Sequence, residues 1–222
     1  MYTQTFGPVA VNTNYYAPEM AFSLDEKIGE GAKREVFRSG NAAVKVQKPY
    51  VSKNFVFTIH IPTWLFGIYK IGRRDFNEAE YQNYFGLIGK VPANLRDSFM
   101  KVFELIEGNG ENRLVAELIS NWDGAVSRSL LQHGPIENIA FWNRMDKLEQ
   151  ILLERDIPYF DIRPENIVIR NVSPNYRIPV IVDYDTMGAR SLIFQVSLLS
   201  RKGRAHKIKR KFERLKSQYK LP

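Results

Sequence analysis

Short apolar segments predict several β-strands in the first half of the chain. Ile28–Val46 is expected to form two or three antiparallel strands joined by a glycine-containing turn. Val102–Ile106 and Leu114–Ile119 are expected to pair across a G-N-G turn at Gly108–Gly110. Asp75–Leu87, which lies between these two groups of strands, is predicted to be helical.

The second half of the chain is predicted to be mainly helical. In Ile136–Leu153 the apolar positions recur at the spacing of one helix face, so the segment should be an amphipathic helix. The residues on that face are Phe141, Met145, Leu148 and Leu152. Two short apolar strands, Ile167–Ile169 and Ile178–Asp183, should follow it.

Residues 55–71 form a long stretch rich in aromatic and apolar side chains. His60 and Pro62 lie in its middle, and its length is at the lower limit for a membrane span, so we do not expect it to cross a bilayer. The stretch should either pack in the core or form an interfacial or protein-binding patch.

The net charge of +8 is concentrated near the C-terminus. Residues 201–220 contain ten Lys or Arg and one acidic residue, a local charge of +9 that leaves the remaining chain near neutral. Their apolar residues recur at helical spacing, so a basic amphipathic helix is predicted. These residues are Ile208, Phe212, Leu215 and Tyr219. The helix should either dock on the rest of the protein or contact an anionic membrane surface or another acidic partner, and no motif predicts specific nucleic-acid binding.

Composition predicts one soluble domain covering residues 1–222. Without cysteine the chain has no disulfide or thiolate metal site, and its three widely spaced histidines make a histidine metal cluster improbable. The first residues lack a basic segment followed by an apolar one. We therefore expect a cytoplasmic protein, with peripheral membrane contact through the basic helix as an option.

The segment Y-F-D-I-R-P-E-N holds the residues best suited to chemistry. It brings together a carboxylate (Asp161), a cation (Arg163) and an amide (Asn166) between a predicted helix and a short strand. A carboxylate can orient an attacking hydroxyl, a cation can neutralise a moving phosphoryl group, and an amide oxygen can help to hold magnesium. Asp161 could instead cap the turn.

Four segments in order resemble motifs of the protein-kinase-like superfamily. They are I-G-E-G-A-K-R-E-V at Ile28–Val36, A-A-V-K-V at Ala42–Val46, the Asp161 segment, and I-P-V-I-V-D at Ile178–Asp183. They are similar to the glycine-rich loop, the lysine strand, the catalytic loop and the strand before the metal-binding aspartate. The closest resemblance is to the PhoP regulatory network protein (YrbL-like) family, with which the chain also shares a Glu78-x-x-Tyr81 helix and a D-G turn.

The resemblance implies an α+β, bilobal, protein-kinase-like fold. A small antiparallel-sheet N-lobe would cover about residues 21–120, a truncated and mostly helical C-lobe about 121–200, and the basic helix 201–222. The stretch 55–71 would be an insertion. The sequence departs from the motifs at Arg34, where a third glycine is usual, and in reading D-Y-D instead of D-F-G.

The resemblance also implies a site for ATP and Mg²⁺. Asp161 and Arg163 would be catalytic, whereas Asn166 and Asp183 would hold the metal, with Asp185 as the alternative ligand. The nucleotide-binding residues would be Gly29, Gly31, Val36, Lys45, Glu78 and Glu117. Of these, Glu78 is preferred over Glu80 as the partner of Lys45, which could otherwise be a surface lysine, and the glycines could belong to an ordinary hairpin.

The function implied by the resemblance is a phosphotransferase that uses ATP and magnesium. Because no segment similar to A-P-E follows Asp183, a hydroxyl of a small molecule, a sugar or a lipid-linked compound is a better acceptor than an extended peptide. The alternative is a non-catalytic, kinase-like binding or regulatory protein, and a weaker third option is nucleic-acid binding through residues 201–220.

Overall fold

The computed structural model describes residues 24–48, 75–107, 112–155, 157, 161–185 and 201–221. Two groups of elements follow one another along the chain. The first comprises β1 (Glu26–Glu30), β2 (Arg34–Ser39), β3 (Ala42–Gln47), α1 (Phe76–Ile88), β4 (Val102–Ile106) and β5 (Arg113–Glu117). The second comprises α2 (Leu130–His133), α3 (Ile139–Glu154), β6 (Ile167–Ser173), β7 (Tyr176–Ile181) and α4 (Arg201–Tyr219).

The first group forms a five-stranded antiparallel sheet in the order β1-β2-β3-β5-β4. A two-residue turn joins β2 to β3, and its first residue, Gly40, has a φ of 57° that an L side chain rarely adopts. In the register of the sheet Lys45 lies between Val36 on β2 and Leu114 on β5. The position of β3 in the middle of the sheet therefore places Lys45 away from both sheet edges.

Helix α1 begins where Asp75 caps it. The Asp75 carboxylate accepts hydrogen bonds from the backbone N–H groups of Asn77 (2.8 Å) and Glu78 (3.0 Å). Asn77 ties the helix to the sheet, because its Nδ2 donates to the carbonyl oxygen of Lys45 at 3.0 Å. The buried residues Tyr84 and Leu87 continue this face of α1.

Helix α3 is the centre of the second group. All four apolar residues predicted to share one face are buried, namely Phe141, Met145, Leu148 and Leu152. The helix starts three residues later than predicted because Asn138 caps it and accepts a hydrogen bond from Phe141 N at 2.9 Å. The hairpin of β6 and β7 packs on α3.

Helix α4 docks on α3, which confirms the docked interpretation of the basic segment. Ile208, Phe212 and Leu215 are buried in the core. Lys216 Nζ lies 2.7 Å from an oxygen of Asp146 and 3.0 Å from one of Glu149. The exposed side of α4 is cationic, so contact with an anionic partner through that side stays a prediction.

These elements confirm the bilobal, protein-kinase-like fold, with an antiparallel sheet and α1 in the first lobe and mostly helical elements in the second. The stretch 55–71 and the turn at Gly108–Gly110 lie outside the described residues, and the predicted extents of the lobes stay predictions. Within the described ranges, every helix is too short or too polar to cross a bilayer.

Candidate functional site

Lys45 is the buried cation at the centre of the candidate site. Only 6% of Lys45 is exposed, and its Nζ donates hydrogen bonds to Glu80 Oε1 and to the carbonyl oxygen of Val182, both at 2.6 Å. A buried ammonium group requires such partners, because burial without them carries a large desolvation cost. Lys45 therefore connects the sheet to α1 and to the segment that follows β7.

The partner of Lys45 is Glu80, so the preference for Glu78 was wrong. Two residues along a helix correspond to a rotation of about 200°, so the two side chains leave α1 on opposite sides. Glu80 is fully buried, whereas Glu78 is exposed and accepts a hydrogen bond from Gln82 Nε2 at 3.0 Å. The spacing from Glu80 to Tyr84 and Leu87, four and seven residues on, is the signal that identifies the buried side of the helix.

Arg34 belongs to the site through partners that the sequence analysis did not predict, since its position at the tip of the glycine-containing loop indicated only an additional phosphate contact. It stands where the resemblance expects a third glycine, yet its side chain is buried and points into the cluster around Lys45. One Nη contacts Glu80 Oε2, and the other lies 2.9 Å from Asp183 Oδ1 and 3.6 Å from Asp185 Oδ2. Burial alone would lower the pKa of Arg34, but the charges of Glu80 and Asp183 outweigh it and raise that pKa. Arg34 thus bridges the Lys45–Glu80 pair and the two aspartates that follow β7, Asp183 and Asp185, which we call the late aspartates.

Asp183 and Asp185 differ in their surroundings. The Asp183 side chain is 26% exposed, whereas that of Asp185 is 4% exposed and has Lys33 Nζ at 3.5 Å. Burial would raise the pKa of Asp183, but the charges of Arg34 and Lys45 outweigh it and lower that pKa. Burial and the charge of Asp183 raise the pKa of Asp185. Asp183 is thus the carboxylate that is ionised more readily and is more exposed, which favours it over Asp185 as the predicted metal ligand.

The loop that contains Asp161 is held against Val182, the residue after β7, through Asn166. Asn166 Nδ2 donates to the carbonyl oxygen of Asp161 at 3.1 Å, and Val182 N donates to the carbonyl oxygen of Asn166 at 3.1 Å. These contacts join the loop to the residue that precedes Asp183. Tyr159 and Phe160, the first residues of the motif, lie outside the described residues.

The Asp161 carboxylate contacts cations from its own loop and from α4. Arg163 Nε pairs with Asp161 Oδ2, and Lys211 Nζ on α4 lies 3.4 Å from Asp161 Oδ1. Arg163 is exposed, and its guanidinium also lies 3.6 Å from Glu165. The basic helix α4 therefore contributes a charge directly beside the candidate catalytic carboxylate, which the sequence analysis did not predict.

The oxygens of Asp183 and Asn166 fit a magnesium ion in chemical type. Among the described residues, no group of three or more His, Cys, Asp or Glu side chains could hold a metal. Magnesium is nevertheless often bound by one or two protein carboxylates together with substrate phosphates. The predicted pair of ligands, which lie on two segments joined through Val182, suits that kind of site.

Of the other predicted nucleotide-binding residues, Gly29 and Val36 lie on the sheet and Gly31 lies in the turn after β1. Gly29 pairs with Val36, which pairs with Lys45, so the three form a row across β1, β2 and β3. Gly31 N donates to the Arg34 carbonyl oxygen at 2.8 Å and closes the turn between β1 and β2. Their roles in binding a nucleotide stay predictions.

Glu117 lies at the end of β5, where its carboxylate has protein partners. Its Oε1 is 2.5 Å from Arg170 Nη2, and its Oε2 accepts a hydrogen bond from Lys101 N at 3.2 Å. These contacts tie β5 to β6 and to the residue before β4. A nucleotide-binding role for Glu117 stays a prediction.

The order of the four motifs and the buried Lys45–Glu80 pair are consistent with the family whose model the sequence matches. Residues 21–220 match the PhoP regulatory network protein YrbL family. The chain belongs to this family. The resemblance inferred from the sequence is thereby confirmed, and the comparison with curated proteins gives no match.

Solved structures similar to this YrbL-family protein include forms of the Mycobacterium tuberculosis PknI kinase domain. For that domain the identity is 13%, the match covers 75% of this chain and 60% of the domain, and the TM-score is 0.45. For one double mutant the values are 14%, 85%, 71% and 0.48. For another they are 13%, 75%, 59% and 0.46, so this chain spans under two thirds of that structure. The fold assignment rests on the strand order and the placement of the lysine, not on these similarities.

Proposed function

We propose that this YrbL-family protein is a phosphotransferase that moves the γ-phosphoryl group of ATP to a hydroxyl acceptor. The observation that carries the proposal is the buried contact of Lys45 with Glu80 and with the carbonyl oxygen of Val182, next to Asp183. In protein kinases the pair between the strand lysine and the helix glutamate, and the late aspartate with its metal, must both be in place for activity. In this chain Lys45 and Glu80 form the lysine–glutamate pair. Val182, whose carbonyl oxygen Lys45 contacts, directly precedes Asp183, the aspartate that would hold the metal.

Each residue has a role in the proposed reaction. Lys45 binds phosphate oxygens of ATP, and Asp183 and Asn166 would hold a magnesium ion, which neutralises phosphate charge when bound. Asp161 accepts a hydrogen bond from the acceptor hydroxyl and takes its proton as the hydroxyl oxygen bonds to the γ-phosphorus. The bond from that phosphorus to the bridging oxygen breaks, and ADP leaves. Arg163 stabilises negative charge on the transferred group.

The acceptor in this proposal is a hydroxyl of a small molecule, a sugar or a lipid-linked compound. Only residues 186–200 separate Asp185 from α4, and α4 contacts Asp161 through Lys211. The acceptor side of Asp161 is therefore bordered by a docked helix. This arrangement favours a compact acceptor over an extended peptide.

A second candidate is a non-catalytic, kinase-like binding protein. The observation in its favour is Arg34, whose guanidinium contacts both Glu80 and Asp183. These contacts compensate the two carboxylates with a protein cation instead of a metal. A protein that binds partners without turnover could retain such a cluster unchanged.

Nucleotide binding measured with and without magnesium separates the two candidates. The phosphotransferase should gain thermal stability from ATP with magnesium and little from ATP alone. Asp183→Asn should abolish the magnesium-dependent gain, because it removes a carboxylate charge with little change in volume. Asp146→Asn, the same substitution at an exposed ion pair on α3, is the matched control and should behave as the wild type. No stabilisation at millimolar ATP would favour the binding protein.

Phosphate transfer separates binding from chemistry. Asp161→Ala should leave the affinity for ATP within a few-fold but lower the rate of transfer, or of slow ATP hydrolysis, by about 10²- to 10⁴-fold, the usual contribution of a general base. Both quantities can be followed with radiolabelled ATP. Equal rates in the wild type and the variant would contradict the role of Asp161.

A further inference from the structure

A cationic pocket lies between the catalytic loop and the basic helix α4. It is open to solvent on one side and has a volume of about 340 Å³, which is within the size range of pockets that bind small molecules. Three of the side chains that line it are cations, namely Arg163, Lys211 and Arg214, and none of the described lining residues is acidic. Two buried apolar residues, Ile162 and Leu215, also line it.

The pocket adjoins the candidate catalytic carboxylate. Two of its cations contact Asp161 directly, Arg163 through Nε and Lys211 at 3.4 Å. A molecule whose hydroxyl lies at Asp161 would therefore place a neighbouring group in this pocket. The chemistry of the lining then determines which neighbouring group is favoured.

The charges of the pocket favour an anion. Arg214 is exposed and makes no ion pair with any described residue. Burial, followed by the charge of Lys211, lowers the pKa of the nearby Lys207, as expected where cations are crowded on one helix. A planar guanidinium and an ammonium group together suit the oxygens of a phosphate group. Gln218, which also lines the pocket, can donate a further hydrogen bond.

We propose that this pocket binds the phosphate group of an acceptor that carries both a phosphate and a free hydroxyl, so that α4 selects the substrate. The acceptor is a phosphorylated polyol or sugar, either free or as a lipid headgroup. The proposal rests on the phosphotransferase function, because Asp161 must receive the hydroxyl of the bound acceptor. It assigns a binding role to the exposed side of α4 while the opposite side of that helix is packed in the core.

The test compares two charge-removing substitutions on α4. Arg214→Gln changes a residue of the pocket, and Lys209→Gln removes one charge from an exposed position on the same helix that does not line the pocket. Glycerol 3-phosphate is titrated calorimetrically into the full-length wild type and both variants at low salt. Arg214→Gln should weaken binding by about 10- to 100-fold, the loss of one charge-assisted hydrogen bond, and Lys209→Gln by no more than about twofold. Equal affinities in the three proteins, or no binding to the wild type at millimolar concentration, would overturn the proposal.

A second arm distinguishes a free acceptor from a lipid headgroup. Phosphatidylcholine vesicles with and without phosphatidylglycerol, whose headgroup carries a phosphate and free hydroxyls, are sedimented with the same three proteins. Binding that requires phosphatidylglycerol and is lost in Arg214→Gln but kept in Lys209→Gln supports the pocket and identifies a headgroup. Binding of glycerol 3-phosphate alone, dependent on Arg214, supports the pocket with a free acceptor. Equal loss of vesicle binding in both variants indicates non-specific attraction to α4 and counts against the pocket.

ATP binding to the same preparations separates failure of this proposal from failure of the proposed function. If ATP with magnesium binds but no phosphate probe depends on Arg214, the pocket assignment is wrong and the phosphotransferase proposal stands. If the probe depends on Arg214 but ATP does not bind, the pocket exists and the protein is a binding protein. Phosphate bound in the nucleotide cleft does not confuse the result, because only the component that depends on Arg214 is attributed to the pocket.

Discussion

Two carboxylates of this protein, Glu80 and Asp161, both contact cations, but in very different surroundings. Glu80 contacts Lys45 and Arg34, and its side chain is 0% exposed while both cations are 8% exposed. Asp161 contacts Arg163 and Lys211, whose side chains are 55% and 29% exposed. The buried cluster of Glu80, Lys45 and Arg34 is therefore shielded from water. The open cluster of Asp161, Arg163 and Lys211 is exposed to water beside α4.

The difference in burial gives the two clusters different roles. Removing one member of a buried pair leaves an uncompensated charge in a medium that solvates it poorly, which costs about 3–5 kcal/mol. Exposed pairs contribute about 0–1 kcal/mol, because water and salt compete with them. The buried cluster should thus hold the sheet, α1 and the late aspartates together, whereas the cations of the open cluster can bind a ligand at little cost to stability.

The largest expected effect is that of Glu80→Gln. This variant should lower the free energy of unfolding by about 3–5 kcal/mol, because Lys45 and Arg34 lose their shared counter-charge. Glu78→Gln, the same substitution on the exposed side of α1, should cost no more than about 1 kcal/mol. Urea denaturation followed by circular dichroism measures both. Similar losses in the two variants would contradict the assignment of Glu80 as the partner of Lys45.

A smaller effect is expected when a guanidinium is replaced by an ammonium group in each cluster. Arg34→Lys keeps the charge but cannot contact Glu80 and Asp183 through two nitrogens at once, so it should lower the free energy of unfolding by about 1–3 kcal/mol. Arg163→Lys should change it by about 0.5 kcal/mol or less, since its guanidinium is largely solvated. If Arg163→Lys proved the more damaging to stability, the open cluster would be structural.

The smallest effect concerns the coupling between Asp161 and Lys211. A double-mutant cycle with Asp161→Asn and Lys211→Gln should give a coupling free energy of about 0.2–1 kcal/mol at low salt. It should approach zero at about 1 M salt, where the Debye length falls to about 3 Å. The cycle for Lys45→Met and Glu80→Gln should change far less with salt, because that pair is buried. A salt-independent coupling at Asp161 would mean that water does not reach the open cluster.

Much of the fold could be predicted from local patterns. The period of apolar residues identified α3 and four of its six buried side chains, because a helix face is a property of neighbouring residues. The order of the four motifs identified the superfamily, and residues 21–220 match the family that the motifs suggested. The start of α3 was misplaced because Asn138, not the first apolar residue, supplies the cap.

The sequence by itself determined the kinds of element, their order and the residue types available for phosphoryl transfer. Only the tertiary structure decided that Lys45 pairs with Glu80, that Arg34 enters the cluster of late aspartates, and that Lys211 reaches Asp161. These contacts join residues between 35 and 149 positions apart in the chain. Local propensity does not encode them, because they depend on the rotation at which a capped helix meets the sheet and on the place where the last helix docks.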